Sequence, residues 1–197
     1  MLADIKLENM TVSGEKIDSL SVQGKGSLTD HVINFAVLSG DFDADTQLKG
    51  GYDLSQDKYA GVIEKQDLTL LAHDSQWQLE RATVFEWESE AWQLQMACWH
   101  QGGQVEKDKL CVNASTQKGA AVLGQLNVTD LNVQSWAFLL PEGLSLTGSL
   151  AGDLQFEWHE NDITLGAQMA LSDGYWITES FHEEIQKIKI DEAKLIA

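Results

Sequence analysis

Leu146-Thr147-Gly148-Ser149-Leu150-Ala151-Gly152-Asp153-Leu154-Gln155-Phe156-Glu157-Trp158 alternates without a fault. Leu146, Leu150, Leu154, Phe156 and Trp158 take one phase, with Gly148 and Gly152 between them, and mostly polar residues take the other. A period of two sends successive side chains to opposite faces of a strand, so one face meets apolar surroundings and the other meets water. The run is long for a strand of a compact domain. Glycines on its apolar face suit a bent or coiled sheet better than a flat one.

The same alternation appears on either side. Asp41 to Leu48 sets Phe42, Ala44, Thr46 and Leu48 against Asp41, Asp43, Asp45 and Gln47. Trp92, Leu94 and Met96 repeat it, as do Leu110, Val112 and Ala114, and then Ile163, Leu165, Ala167, Met169 and Leu171. Turn signals punctuate these runs at Ser39-Gly40-Asp41, Gly50-Gly51, Gln101-Gly102-Gly103, His159 to Asp162 and Asp173-Gly174. Pro141 is the only proline, which suits continuous ladders in which every N–H is used. The fold class expected is all-β: a long, curled sheet, antiparallel or mixed. One segment breaks the period. Val133 to Leu140, followed by Pro141-Glu142-Gly143, predicts a helix of about two turns over 133–140, with Trp136 and Leu140 on its buried side. Residues 1–197 are read as a single β-rich segment, any internal boundary falling near 118–145. Gly26 to Ile63 and Thr147 to Met169 are loosely alike, which favours strands stacked along an axis over a closed sandwich.

Thirteen Lys plus Arg against 31 Asp plus Glu give a formal charge of −18. Such a surface repels phosphate backbones, so nucleic acid is excluded as a partner. It also repels anionic lipid headgroups unless the contact is apolar. No basic start followed by an apolar run marks a signal peptide, and no stretch approaches the ~20 apolar residues of a membrane span. The chain ends in strand-like sequence, Ile188-Lys189-Ile190 and then Ala193 to Ala197, so both ends read as internal to a longer protein.

Cys98 and Cys111 form no CxxC motif and no Cys/His cluster. They read as one disulfide closing a short loop, contributing about 3 kcal/mol and pointing to an oxidising compartment. Two buried thiols would be the alternative. Cys98 is in phase with Trp92, Leu94 and Met96, whereas Cys111 is out of phase with Leu110 and Val112. An uninterrupted ladder would therefore put the sulfurs on opposite faces. A bulge near Ala97 or Trp99 is expected, or a disulfide outside the ladder.

Catalytic and metal-binding patterns are missing. Asp41-Phe42-Asp43-Ala44-Asp45 opens like a calcium loop, but the sixth and twelfth positions are Thr46 and Tyr52 instead of Gly and Glu. His31, His73, His100, His159 and His182 are scattered, with no pair at helical metal-ligand spacing. No nucleophile elbow, P-loop or dinucleotide fingerprint occurs. No catalytic residue, metal or cofactor is assigned. Seven tryptophans are the more informative feature, since they fill cores and also mark surfaces where an apolar body meets a polar margin.

The order of features from Gly26 to Ser115 resembles the TamB family of AsmA-like proteins. Those features are Gly26-Ser27-Leu28-Thr29-Asp30-His31, then Lys58-Tyr59-Ala60-Gly61-Val62-Ile63, then Trp77-Gln78-Leu79 before Ala82-Thr83-Val84. Ala97-Cys98-Trp99 follows, with Leu110-Cys111-Val112-Asn113. Leu126-Asn127-Val128 to Leu140-Pro141 and Leu144 to Leu150 extend the similarity over most of the chain. Tyr59 departs from it, standing where the family favours tryptophan. The resemblance implies a Gram-negative protein anchored in the inner membrane and crossing the periplasm as a long curled β-sheet. It also implies an outer-membrane barrel partner, TamA, with roles in barrel-protein assembly and in moving phospholipid between membranes.

On that reading the apolar side of the sheet forms a trough that takes phospholipid or another acyl-chain ligand. The lining expected is Phe42, Leu68, Phe85, Trp92, Leu94, Met96, Phe156, Leu165 and Met169. A scaffold capturing unfolded barrel strands by β-augmentation is the rival, and a structural spacer closed on itself is the third reading.

Overall fold

Among the described residues the strands number thirteen and leave little else. A computed structural model describes residues 2–12, 15–71, 75–102, 108–116, 121–134, 136, 144–159, 162–179 and 185–196. In chain order the strands are β1 (Leu2–Val12), β2 (Glu15–Gly26), β3 (His31–Ser39), β4 (Phe42–Asp53), β5 (Lys58–Leu70), β6 (Ser75–Leu79) and β7 (Thr83–Glu88). Then come β8 (Ala91–Gln101), β9 (Lys109–Thr116), β10 (Val122–Asn132), β11 (Leu144–His159), β12 (Asp162–Glu179) and β13 (Ile185–Ile196).

All belong to one sheet whose spatial order follows the sequence. Every pairing is antiparallel, so the parallel component allowed by the sequence reading is not used. β10 pairs with β9 on one side and with β11 on the other. Between β5 and β8 one rank is broken in two: β7 pairs with their one half and β6 with the other.

Three interruptions line up at that break. The β4–β5 register slips between Gln47 and Leu48, placing the extra residue on β5 at Glu64–Lys65. Residues 80–82 separate β6 from β7, and the β8–β9 register slips between Leu94 and Ala97. Bulges bend a strand and increase its twist, so three at one level crease the sheet. The last is also the distortion that the cysteine phases demanded. It brings Cys98 directly opposite Cys111, and the two form a disulfide.

The sheet is concave on its apolar side. Trp77 of β6 and Trp136, just past β10, meet edge to face with ring centroids 5.6 Å apart. Their strands lie three ranks apart, about 14 Å on a flat sheet. An inward curl of that face accounts for the contact. Trp77 is 2% exposed and clusters with Val128 and Leu131, with Leu68, Trp99, Leu110, Leu150 and Met169 packed around them. The curl does not close the molecule. The chain exposes 13113 Å², against about 9,300 Å² for a compact monomer of this size.

The expected helix is not an α-helix where it can be seen. Val133, Gln134 and Trp136 lie in a short 3₁₀ turn, and the rest of 133–140, Leu140 included, falls outside the described residues. Trp136 alone supplies enough apolar surface to pack on the Trp77 cluster, and a turn presents it as well as a helix would.

Candidate functional site

The pairing register assigns each side chain to a face, because directly opposed residues in an antiparallel ladder share one. Starting from the Trp77 cluster, the concave face takes Phe42, Ala44, Thr46, Leu48, Gly50 and Tyr52 from β4. It takes Thr83, Phe85 and Trp87 from β7, and Trp92, Leu94, Ala97 and Trp99 from β8. From β12 come Ile163, Leu165, Ala167, Met169 and Leu171. Followed from Phe42 on β4 to Leu171 on β12, the concave positions carry no Asp, Glu, Lys or Arg among the described residues. Three ion pairs lie on the other face: Lys58 with Glu86 at 3.0 Å, Lys65 with Asp67 at 2.5 Å, Lys109 with Glu80 at 2.5 Å.

Several polar groups of the concave face are paired, whereas the buried Gln101 Oε1 has no partner among the described residues. Trp77 Nε1 donates to Ser75 Oγ at 2.9 Å, and Trp99 Nε1 donates to Gln66 Oε1 at 2.9 Å. His31 Nδ1 lies 3.1 Å from the Ser27 carbonyl, which can only accept, so this nitrogen carries the proton. In the neutral imidazole Nε2 then accepts from the Tyr59 hydroxyl at 3.0 Å. Burial pushes the Tyr59 phenol above its ordinary pKa, which keeps it a donor. Tyr59 stacks on Phe85 with centroids 5.4 Å apart.

The face is packed at one end and open at the other. Leu68, Trp77, Trp99, Val128 and Leu131 close one end. Across the crease, Trp87 is 57% exposed, Trp158 52%, Ile163 63% and Leu165 57%. They form the rim of a trough whose floor is folded by the glycines. The ring of Phe156 lies flat over Gly124, its directly paired neighbour, where a Cβ would overlap it. Phe85 lies over Gly61 in the same way, 2.6 Å from where a Cβ would stand.

Of the nine residues expected to line the trough, eight share this face: Phe42, Leu68, Phe85, Trp92, Leu94, Phe156, Leu165 and Met169. They do not gather at one spot. Leu68 and Met169 belong to the packed end, whereas Phe85, Trp92, Leu94, Phe156 and Leu165 belong to the open end. Met96 sits in the β8 bulge, and its sulfur lies 4.0 Å from Nδ2 of Asn113, a convex-face residue. Alternation continued through the bulge had put it in phase with Leu94. Sequence reasoning missed Trp87, Trp158, Gly61 and Gly124. A signal was present in Phe85-Glu86-Trp87 and Phe156-Glu157-Trp158, the same tripeptide twice.

The convex face carries pockets of its own. One is lined by Asn113, Ser115, Gln125, Gln155 and Thr164 and also reaches Gly124, Phe156 and Leu165, and another is lined by Lys58, Glu86, Glu88, Trp92 and Gln93. The disulfide lies on this side of the crease, its cysteines 5% and 6% exposed. No helix among the described residues is long and apolar enough to cross a membrane.

No curated protein and no solved structure gives a significant match to the chain. The family model described as "TamB, N-terminal domain" matches residues 3–197. With that match over almost its entire length, this single open antiparallel sheet belongs to the TamB family.

Proposed function

We propose that this domain shelters phospholipid acyl chains in its concave trough, as a non-catalytic part of an envelope protein that bridges inner and outer membranes. The observation that carries this reading is a concave face that from β4 to β12 carries no charged side chain among the described residues, lying beside large apolar side chains open to solvent. A polypeptide laid along it would find few donors or acceptors for its backbone and would be penalised accordingly. A hydrocarbon chain asks for none. Each methylene it withdraws from water contributes about 0.8 kcal/mol. The acidic convex surface discourages anionic headgroups from settling on the protein, so tails are held and heads stay in solvent. In the periplasm such a segment supports lipid delivery and outer-membrane protein assembly, with TamA met by the full-length protein.

The test is native mass spectrometry with lipid extraction on the protein purified from bacterial envelopes. Phospholipid is expected to co-purify and to be lost in Leu94→Glu or Phe156→Glu. Protein that stays lipid-free even after incubation with phospholipid vesicles would refute the reading and favour strand capture at a sheet edge.

A further inference from the structure

On its convex side β8 changes character at the crease. Gln93 is exposed, whereas Cys98 and His100, further along the same side of the strand, are buried. So is Cys111, the partner of Cys98 on β9. His100 is 8% exposed, and its buried Nδ1 has no hydrogen-bond partner among the described residues. Two charged residues flank this stretch of β8. Glu80, just past the end of β6, donates its N–H to the Cys98 carbonyl at 2.8 Å. Lys109 stands directly opposite His100 on β9.

The two charged groups meet at 2.5 Å. Their strands lie on opposite sides of β8, about 9.6 Å apart at the usual strand spacing. The contact therefore spans β8 from above, on a diagonal from the level of Cys98 to the level of His100. Only 24% of the Lys109 side chain and 25% of the Glu80 side chain is exposed. We infer that the Glu80–Lys109 ion pair is a lid over the Cys98–Cys111 disulfide, and that a thiol reductant reaches the sulfurs only when the pair opens. The inference is independent of what the trough holds.

Exchange with a dithiol shows what the lid controls. One thiolate of the reductant must reach a cysteine sulfur, so it needs access from the convex side. It forms a mixed disulfide with that sulfur, and the other cysteine leaves as thiolate. The second thiol of the reductant then displaces the first cysteine and closes the reductant's own disulfide. Two electrons pass to the cysteines, and the two protons given up by the reductant end on them. The bond at stake staples β8 to β9 next to the bulge between Leu94 and Ala97. By shielding the bond, the lid also protects the register that creases the sheet.

Reduction of the folded chain by dithiothreitol without urea, read by mass spectrometry of the alkylated cysteines, tests this. Glu80→Ala with Lys109→Ala removes both charges together, so neither is left covered and alone. The double variant should be reduced about tenfold faster or more, since no ion pair has to break before the bond is reached. Lys58→Ala with Glu86→Ala removes an ion pair of the same face away from the cysteines and should leave the rate unchanged. Glu80→Lys with Lys109→Glu rebuilds the contact with its charges exchanged and should restore slow reduction. Low urea separates a lid from general loosening: below the unfolding transition the rate in the double alanine variant should stay flat, because opening one surface contact exposes little area. If that variant does not fold, Glu80→Gln should give a smaller acceleration in the same direction. Reduction as slow as in the parent, equal acceleration by the control pair, or a rate that climbs with urea from the start would overturn the lid.

Discussion

Replacing Trp77 and Trp87 by alanine, in separate proteins, should cost very different amounts. Trp77 is 2% exposed, makes the edge contact with Trp136 and donates to Ser75, itself 1% exposed. Deleting its ring opens a cavity in the packed end and orphans the Ser75 hydroxyl. Core Trp→Ala changes cost about 3–5 kcal/mol, and an unsatisfied buried hydroxyl adds about 1 kcal/mol. A loss of at least about 4 kcal/mol, the low end of that sum, is expected. Trp87 is 57% exposed, and its Nε1 donates to the Ser89 carbonyl at the strand end. Less than half of its transfer free energy is in play, about 1 kcal/mol. With a urea slope near 2 kcal/mol/M, the midpoints should fall by about 2 M for Trp77→Ala and about 0.5 M for Trp87→Ala. Urea titrations followed by far-ultraviolet circular dichroism, with the disulfide intact, measure both. Equal shifts would mean that the trough has no packed end, and the distinction between its two halves would fail.

Three further outcomes are expected. Gly152→Ala should destabilise by more than 1 kcal/mol, since Gly152 has φ +148° and a Cβ would stand 2.8 Å from Met169 Cα; Gly166→Ala, with open space on its side, should change the urea midpoint little. Cys98→Ser should cost about 2–4 kcal/mol, and in the native protein thiol labelling after mild reductant should be slow until urea is added, because both sulfurs are covered. Tyr59→Phe should flatten part of the alkaline stability profile: with its folded pKa raised by burial, Tyr59 stabilises fully below the unfolded phenol pKa of about 10 and loses that contribution as pH rises past it. Tyr52, raised by its hydrogen bond to Asp57, retains the rest of the slope. Unfolding measured between pH 8 and 11 reads the difference.

Much of this architecture is legible because alternation is a direct projection of burial. Leu150, Leu154 and Phe156 are in phase in the sequence and share a face in the sheet. Even the bulge is readable, since the two cysteines cannot meet without one. Bulges also mark where such reading fails. Met96 lies one residue past the point where the phase changes, and no local property of methionine announces it. The Val133–Leu140 segment has helical spacing, but its described part is a turn in which Trp136 packs against Trp77, a residue far away in sequence.

The neighbour-by-neighbour order of the strands bears on how the sheet comes into being. Each new strand finds its partner in the one or two made just before it, and no pairing waits for a distant part of the chain. Contacts of that kind are cheap in loop-closure entropy and fast to form. A polypeptide emerging end first from a narrow exit could therefore lay down its sheet strand by strand, its growing edge serving as template for the segment that emerges next.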